Sequence, residues 1–283
     1  MDWKKLTVVG ATMVCAGALL TGCGSSNESG SASGSAVTGS VSTNGSTSME
    51  KVIGTVSEQF MNDNQGIKVT YDATGSGTGI ESVNKGTCDI GLSSRALKDS
   101  EKQNGLKGTT IALDGIAIIV NENNPVNDLS KEDLAALYTG QKATWDTVGG
   151  SKDEVAAIGR EAGSGTRDGF ESITKTKDKC KMKQELTSTG AVIEAVKNSP
   201  NAIGYASYAS VVGQKGIKVL TIGGVQCTEE NIANGSYVVQ RPFVLVTKEG
   251  KELSPAAKKF FDYATSTAVN ELIKKAGAVP ANK

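Results

Sequence analysis

Thr74-Gly75-Ser76-Gly77-Thr78-Gly79 follows a strand-like run at 67–71 (Ile-Lys-Val-Thr-Tyr) and opens a helix. Small hydroxyl-bearing residues mix with glycine at the point where a strand gives way to a helix. Gly45-Ser46-Thr47-Ser48 and Gly163-Ser164-Gly165-Thr166 repeat the pattern, each ahead of a helical segment. A helix N-terminus leaves its first N–H groups without intrahelical partners and carries partial positive charge, so it attracts anions. Glycine lets the backbone come close to a ligand, and Ser and Thr add hydroxyl donors. One such loop by itself reads more readily as plain helix capping than as a binding loop. Three of them converging would surround a tetrahedral oxyanion with donors. Arg160, four residues before Ser164, adds a planar fork suited to carboxylate or phosphate.

Outward from these loops, strand-like and helix-like segments alternate. Met49, Val52, Ile53, Val56 and Phe60 fall on one face of a helix. The run 111–120 reads as a long strand, buried on both faces toward its end. Ser130-Lys131-Glu132-Asp133 resembles a capping box and predicts a helix through Tyr138, with Asp where Glu or Gln is usual. Ala191, Val192, Ala195 and Val196 predict another helix, stopped by Asn198-Ser199-Pro200. A strand is expected at 237–247 and a long C-terminal helix at 255–275. The alternation predicts an α/β architecture with largely parallel sheets.

The 283 residues carry 30 Lys+Arg against 30 Asp+Glu and no histidine. Zero net charge argues against a nucleic-acid partner. Without histidine there is no Ser-His-Asp triad, no Cys-His pair, no imidazole base and no His-ligated metal. The glycine loops lack the G-x4-G-K-[ST] of a P-loop, and Gly75-Ser76-Gly77-Thr78-Gly79 has the wrong spacing for a dinucleotide fingerprint. Binding without chemistry, cofactor or metal is the reading that remains.

Residues 1–22 read as an export signal. Lys4 and Lys5 precede a short run at 6–20 of apolar and small residues, too short for a permanent span of ~20 apolar residues. Leu20-Thr21-Gly22-Cys23 resembles a lipobox, which implies cleavage before Cys23 and a lipid on its thiol. The stretch 24–40 holds eleven Gly or Ser among seventeen residues and is expected to be a disordered tether. A domain outside the cytoplasm, held to the membrane's outer face by Cys23, follows from this. Cys88, Cys180 and Cys227 remain in the folded part. Cys88 sits in a strand-like apolar run and is expected as a buried free thiol, and Cys180–Cys227 is the favoured disulfide.

Across 41–283 the chain resembles the lipid-anchored phosphate-binding proteins of bacterial high-affinity phosphate ABC transporters, in their Gram-positive form. The carrying segments are Gly45-Ser46-Thr47-Ser48-Met49, Tyr71-Asp72-Ala73-Thr74-Gly75-Ser76-Gly77 and Asp89-Ile90-Gly91-Leu92-Ser93-Ser94-Arg95. Arg160-Glu161-Ala162-Gly163-Ser164-Gly165-Thr166, Ile203-Gly204-Tyr205, Tyr237-Val238-Val239-Gln240-Arg241-Pro242 and Gly277-Ala278-Val279-Pro280 continue it. The resemblance implies a two-lobed periplasmic-binding-protein fold of type II, crossed twice by the chain, with the ligand cleft between lobes. Lobe 1 would comprise 41–116 and 240–283, and lobe 2 would comprise 117–239. Thr47, Ser48, Ser76 and Ser94 would meet inorganic phosphate from lobe 1. Arg160, Ser164, Gly165 and Thr166 would close on it from lobe 2. The partner implied is an ABC permease, and a monomer is expected.

Two positions depart from the family pattern. Ser94 stands where many relatives have an Asp that accepts the proton of hydrogen phosphate, and Ala162 stands where another Asp is common. Asp72, Glu161 and Glu171 are the candidate replacements. Arg167 and Glu171, at i, i+4 spacing, read as a stabilising ion pair. Arg95 is open between ligand and surface roles, and Arg241-Pro242 reads as structural or hinge packing. The rival readings are another oxyanion (sulfate, molybdate or tungstate) and a surface phosphatase with Ser76 or Ser164 as nucleophile.

Overall fold

Strand β1 (Gly39–Gly45) begins inside the expected tether: Gly39 and Ser40 already pair with Ile67 and Lys68. A computed structural model describes residues 37–281; the export signal, Cys23 and the tether through residue 36 lie outside the described residues. From β1 the chain continues through α1 (Glu50–Asp63), β2 (Ile67–Ala73), α2 (Ser76–Lys85), β3 (Ile90–Ser93), α3 (Asp99–Gln103) and the long β4 (Leu106–Asn121). Then come β5 (Asp128–Leu129), α4 (Lys131–Thr139), β6 (Ala156–Arg160), α5 (Gly165–Thr174), β7 (Gln184–Leu186) and α6 (Thr189–Lys197). Next are β8 (Ala202–Ser207), α7 (Tyr208–Val211), β9 (Ile217–Val219), β10 (Thr221–Ile222) and α8 (Glu229–Ala233). β11 (Gln240–Lys248), α9 (Pro255–Ala264), α10 (Asn270–Lys275) and β12 (Val279–Pro280) complete it.

Two of the three hydrophobic clusters among the described residues define two lobes. One gathers Val41, Val52, Ile53, Phe60, Ile90, Phe243 and Phe260. The other gathers Ile116 to Val120 of β4 with Tyr138, Trp145, Phe170, Val192 and Tyr205. β4 feeds both, giving Ile111 and Ala112 to the first and Ile116 onward to the second. The β11 segment does the reverse, with Tyr237 and Val239 in the second core and Phe243 and Leu245 in the first. The chain thus crosses between lobes at two antiparallel neighbours, where Arg241 stands opposite Asp114.

The sheet pairing is more mixed than the alternation predicts. β1 runs parallel to β2 and β3, and β6 runs parallel to β7 and β8. Every ladder involving β4 or β11 is antiparallel. The two crossover strands therefore impose the antiparallel character on both lobes.

Three further expectations are corrected. The C-terminal helix is two helices, because Thr265 and Ser266 turn their hydroxyls to Phe261 and Tyr263 carbonyls and Ser266 caps a short 3-10 turn. The strand expected from 237 starts its ladder at Gln240. Cys180 and Cys227 are free thiols. Cys180 leans on Thr176, its Sγ 3.2 Å from the hydroxyl. Cys227 is buried where a Cβ on Gly115 would lie 2.5 Å from its Sγ. Cys88 is also free and buried, as expected, and burial pushes its thiol up to about 11.

Candidate functional site

Parallel strands end where loops can gather, and ligands of α/β proteins sit beyond those carboxyl ends. β1 runs out at Gly45 into Ser46-Thr47-Ser48, and β2 at Ala73 into Thr74-Gly75-Ser76. In the other lobe β6 ends at Arg160 ahead of Gly163-Ser164-Gly165-Thr166, and β7 ends at Leu186 ahead of Thr187-Ser188-Thr189. The four loops meet. Ser46 caps its helical turn by accepting from the Ser48 N–H, and Ser164 and Ser188 cap α5 and α6.

The hydroxyls cross between lobes. Ser48 Oγ lies 2.8 Å from Thr166 Oγ1 and 3.0 Å from Thr189 Oγ1, while Thr47 Oγ1 lies 3.0 Å from Thr189 Oγ1. Ser76 Oγ accepts from the Ser94 N–H at 3.1 Å and sits 3.2 Å from Ser94 Oγ. Gly165 fits against this pair because it has no side chain: a Cβ there would overlap Ser76 Oγ and lie 2.7 Å from Ser94 Oγ. The Gly77 N–H donates to the Gly163 carbonyl at 2.9 Å, a backbone link between the two glycine loops. All eight residues expected at the site are buried in this one place.

Arg160 is the charge at its centre, with 1% of its surface exposed. Its Nε and one terminal nitrogen donate to the Leu186 and Thr187 carbonyls at 2.9 and 2.8 Å. The other nitrogen donates to Thr47 Oγ1 at 3.1 Å and Thr189 Oγ1 at 3.4 Å. Its backbone N–H donates to Tyr205 Oη, fixing the end of β6. No carboxylate among the described residues lies within ion-pairing distance of Arg160. Burial pulls its guanidinium down from the usual arginine value, opposed by Glu161 from farther away.

The remaining three of the chain's four arginines each have a carboxylate. Arg241 pairs with Asp114 at 2.9 Å, and Asp114 also accepts from Ser207 Oγ and the Ala209 N–H. Arg241 reaches the site as well, donating to Thr166 Oγ1 at 2.7 Å and to the Ser94 carbonyl at 3.2 Å. Arg167 pairs with Glu171, as the spacing predicts, and with Glu185. Arg95 is held by Glu101 and Asp168. Of the candidate replacement acceptors, Asp72 is exposed, Glu161 is half-buried and Glu171 is engaged by Arg167.

Thr189 escapes the sequence reading, although Thr187-Ser188-Thr189-Gly190 has the same glycine-and-hydroxyl pattern as the other loops. Asp114 escapes it too; a lone carboxylate inside an apolar strand run was its signal. No group of residues able to hold a metal ion occurs among the described residues.

A PBP superfamily domain model matches residues 30–268. The Phosphate-binding protein PstS of Staphylococcus saprophyticus is 31% identical over 264 residues, covering 88% of this chain and 81% of the relative. This chain belongs to the phosphate-binding proteins of the PBP superfamily. A putative phosphate ABC transporter substrate-binding protein from Clostridium perfringens, solved with bound phosphate, matches at TM-score 0.80. It is 35% identical, covering 86% of this chain and 100% of that one. An ABC-type phosphate transport receptor from Vibrio cholerae matches at TM-score 0.70 with 32% identity, over 84% of this chain and 99% of that one. Membership of the family fits the two lobes and the double crossover.

Proposed function

We propose that the chain is a lipid-tethered, extracytoplasmic solute-binding protein that captures inorganic phosphate and passes it to the permease of an ABC importer. The observation that carries the reading is Arg160. A buried guanidinium without a counter-charge is costly, and an oxyanion entering beside it supplies that charge. Thr47, Ser48, Ser76, Ser94, Ser164, Thr166 and Thr189 can each turn a hydroxyl proton toward such an anion. Gly165 and Thr166 begin α5, where the N–H groups have no intrahelical partners. Lobe 1 (41–116 and 240–283) and lobe 2 (117–239) would close on the anion by bending at the crossover. Cys23 would hold the protein to the membrane's outer face, and the chain would act as a monomer.

Catalysis is not part of the reading. The Ser76 hydroxyl pairs with Ser94 and the Ser164 hydroxyl with the Arg167 N–H, so neither faces a base. One observation favours a second anion: Ser94 supplies a hydroxyl where a carboxylate would exclude fully ionised sulfate. Titration of anion-stripped protein with phosphate in excess sulfate, at pH 6 and pH 8, tests the choice. Phosphate binding that persists in sulfate supports the proposal; tight sulfate binding that displaces phosphate overturns it.

A further inference from the structure

Just outside the site, a charged cluster joins the lobes. Arg95 follows β3 in the first lobe, and its guanidinium is clasped by both carboxylate oxygens of Glu101 at 2.8 Å. Its Nε faces Asp168 Oδ2 of α5, in the second lobe, at 2.8 Å. That contact is Coulombic, since the Nε–H is not aligned for a hydrogen bond. Lys98 Nζ adds a second positive charge 3.4 Å from the same oxygen. Only 10% of the Arg95 side chain and 33% of the Asp168 side chain are exposed, so solvent and salt screen the pair weakly. Arg95 directly follows Ser94, and Asp168 lies one helical turn beyond Gly165, which packs on Ser94. Whatever brings Gly165 onto Ser94 also brings Asp168 onto Arg95.

Resting on the phosphate-binding reading, we infer that Asp168 is a latch: its contacts with Arg95 and Lys98 hold the lobes together over a bound anion and slow its release, without touching the anion. Glu101 keeps Arg95 extended toward Asp168 when the lobes part. Asp168 is then a positioning residue whose effect is on the lifetime of the closed complex.

The latch and plain electrostatics predict opposite signs. The four side chains sum to zero charge, so Asp168→Asn leaves one extra positive charge near the anion. If Asp168 were only a nearby charge, its removal would strengthen anion binding and slow release. As a latch, its removal speeds release. Stopped-flow release of phosphate from Asp168→Asn is expected to be roughly fivefold to tenfold faster than from the wild type. Asp168→Glu, which keeps the charge, is expected to recover part of the loss. Adding Arg95→Gln to Asp168→Asn is expected to change release less than Arg95→Gln does alone, because the shared contact is already gone. The thermal midpoint of Asp168→Asn without phosphate is expected to stay close to the wild-type value. Unchanged or slower release from Asp168→Asn, in a wild type that binds phosphate, overturns the latch alone. A wild type that binds no phosphate overturns the functional reading, and the latch with it.

Discussion

Arg160 and Arg241 are buried to similar degrees within one hydrogen-bonded region, yet they answer different needs. Arg241 sits at the crossover opposite Asp114, a carboxylate with no exposed surface, and the pair ties β11 to β4. Burial pushes the Asp114 carboxyl up and the Arg241 guanidinium down, and each offsets the other's cost. Arg160 is buried too, but its hydrogen-bond partners are carbonyls and hydroxyls alone. A charge completed within the protein serves the fold. On the proposed reading, a charge left to be completed from outside serves binding. Arg241 also links the two lobes, donating to Thr166 and to the Ser94 carbonyl on either side of the cleft, as the proposed hinge requires.

The same substitution is expected to have opposite effects at the two positions. Arg241→Met strands Asp114 without its counter-charge and is expected to cost about 3–5 kcal/mol of stability in urea unfolding. Arg160→Met removes an uncompensated charge, so the anion-free protein is expected to be as stable as the wild type or more so. Equal losses at the two positions would erase the distinction. Gly165→Ala comes next. Its Cβ would overlap Ser76 Oγ, and closing the lobes over it is expected to weaken phosphate binding by about tenfold to a hundredfold, read by equilibrium titration. Thr189→Val keeps the shape and removes one hydroxyl shared by Thr47, Ser48 and Arg160, with an expected loss of about tenfold in affinity by the same assay.

What the sequence made legible follows from how local each signal is. Glycine and hydroxyl residues ahead of a helix are written within six residues, so three of the four loops could be read directly. The fourth is masked by its own helix, because the apolar run from Ala191 to Val196 is a stronger signal than the hydroxyls before it. Lone Arg160 drew attention by its neighbours, but its lack of a carboxylate is a fact of three dimensions. The antiparallel ladders are not legible, since the longest joins 106–121 to 240–248 across about half of the chain. For the same reason the Arg95–Asp168 contact left Arg95 undecided between ligand and surface. Cys180 and Cys227 are the pair that remains once Cys88 is assigned to an apolar strand, but packing sends one to Thr176 and the other to Gly115.

The central claim is that Arg160 is held uncompensated so that an oxyanion can complete it. Calorimetric titration of anion-stripped wild type and Arg160→Met with phosphate tests it most directly. One phosphate is expected per wild-type chain and, for Arg160→Met, an affinity lower by roughly a hundredfold or more, from losing a charge-assisted contact in a buried site. Phosphate binding of equal strength in the two proteins would contradict it.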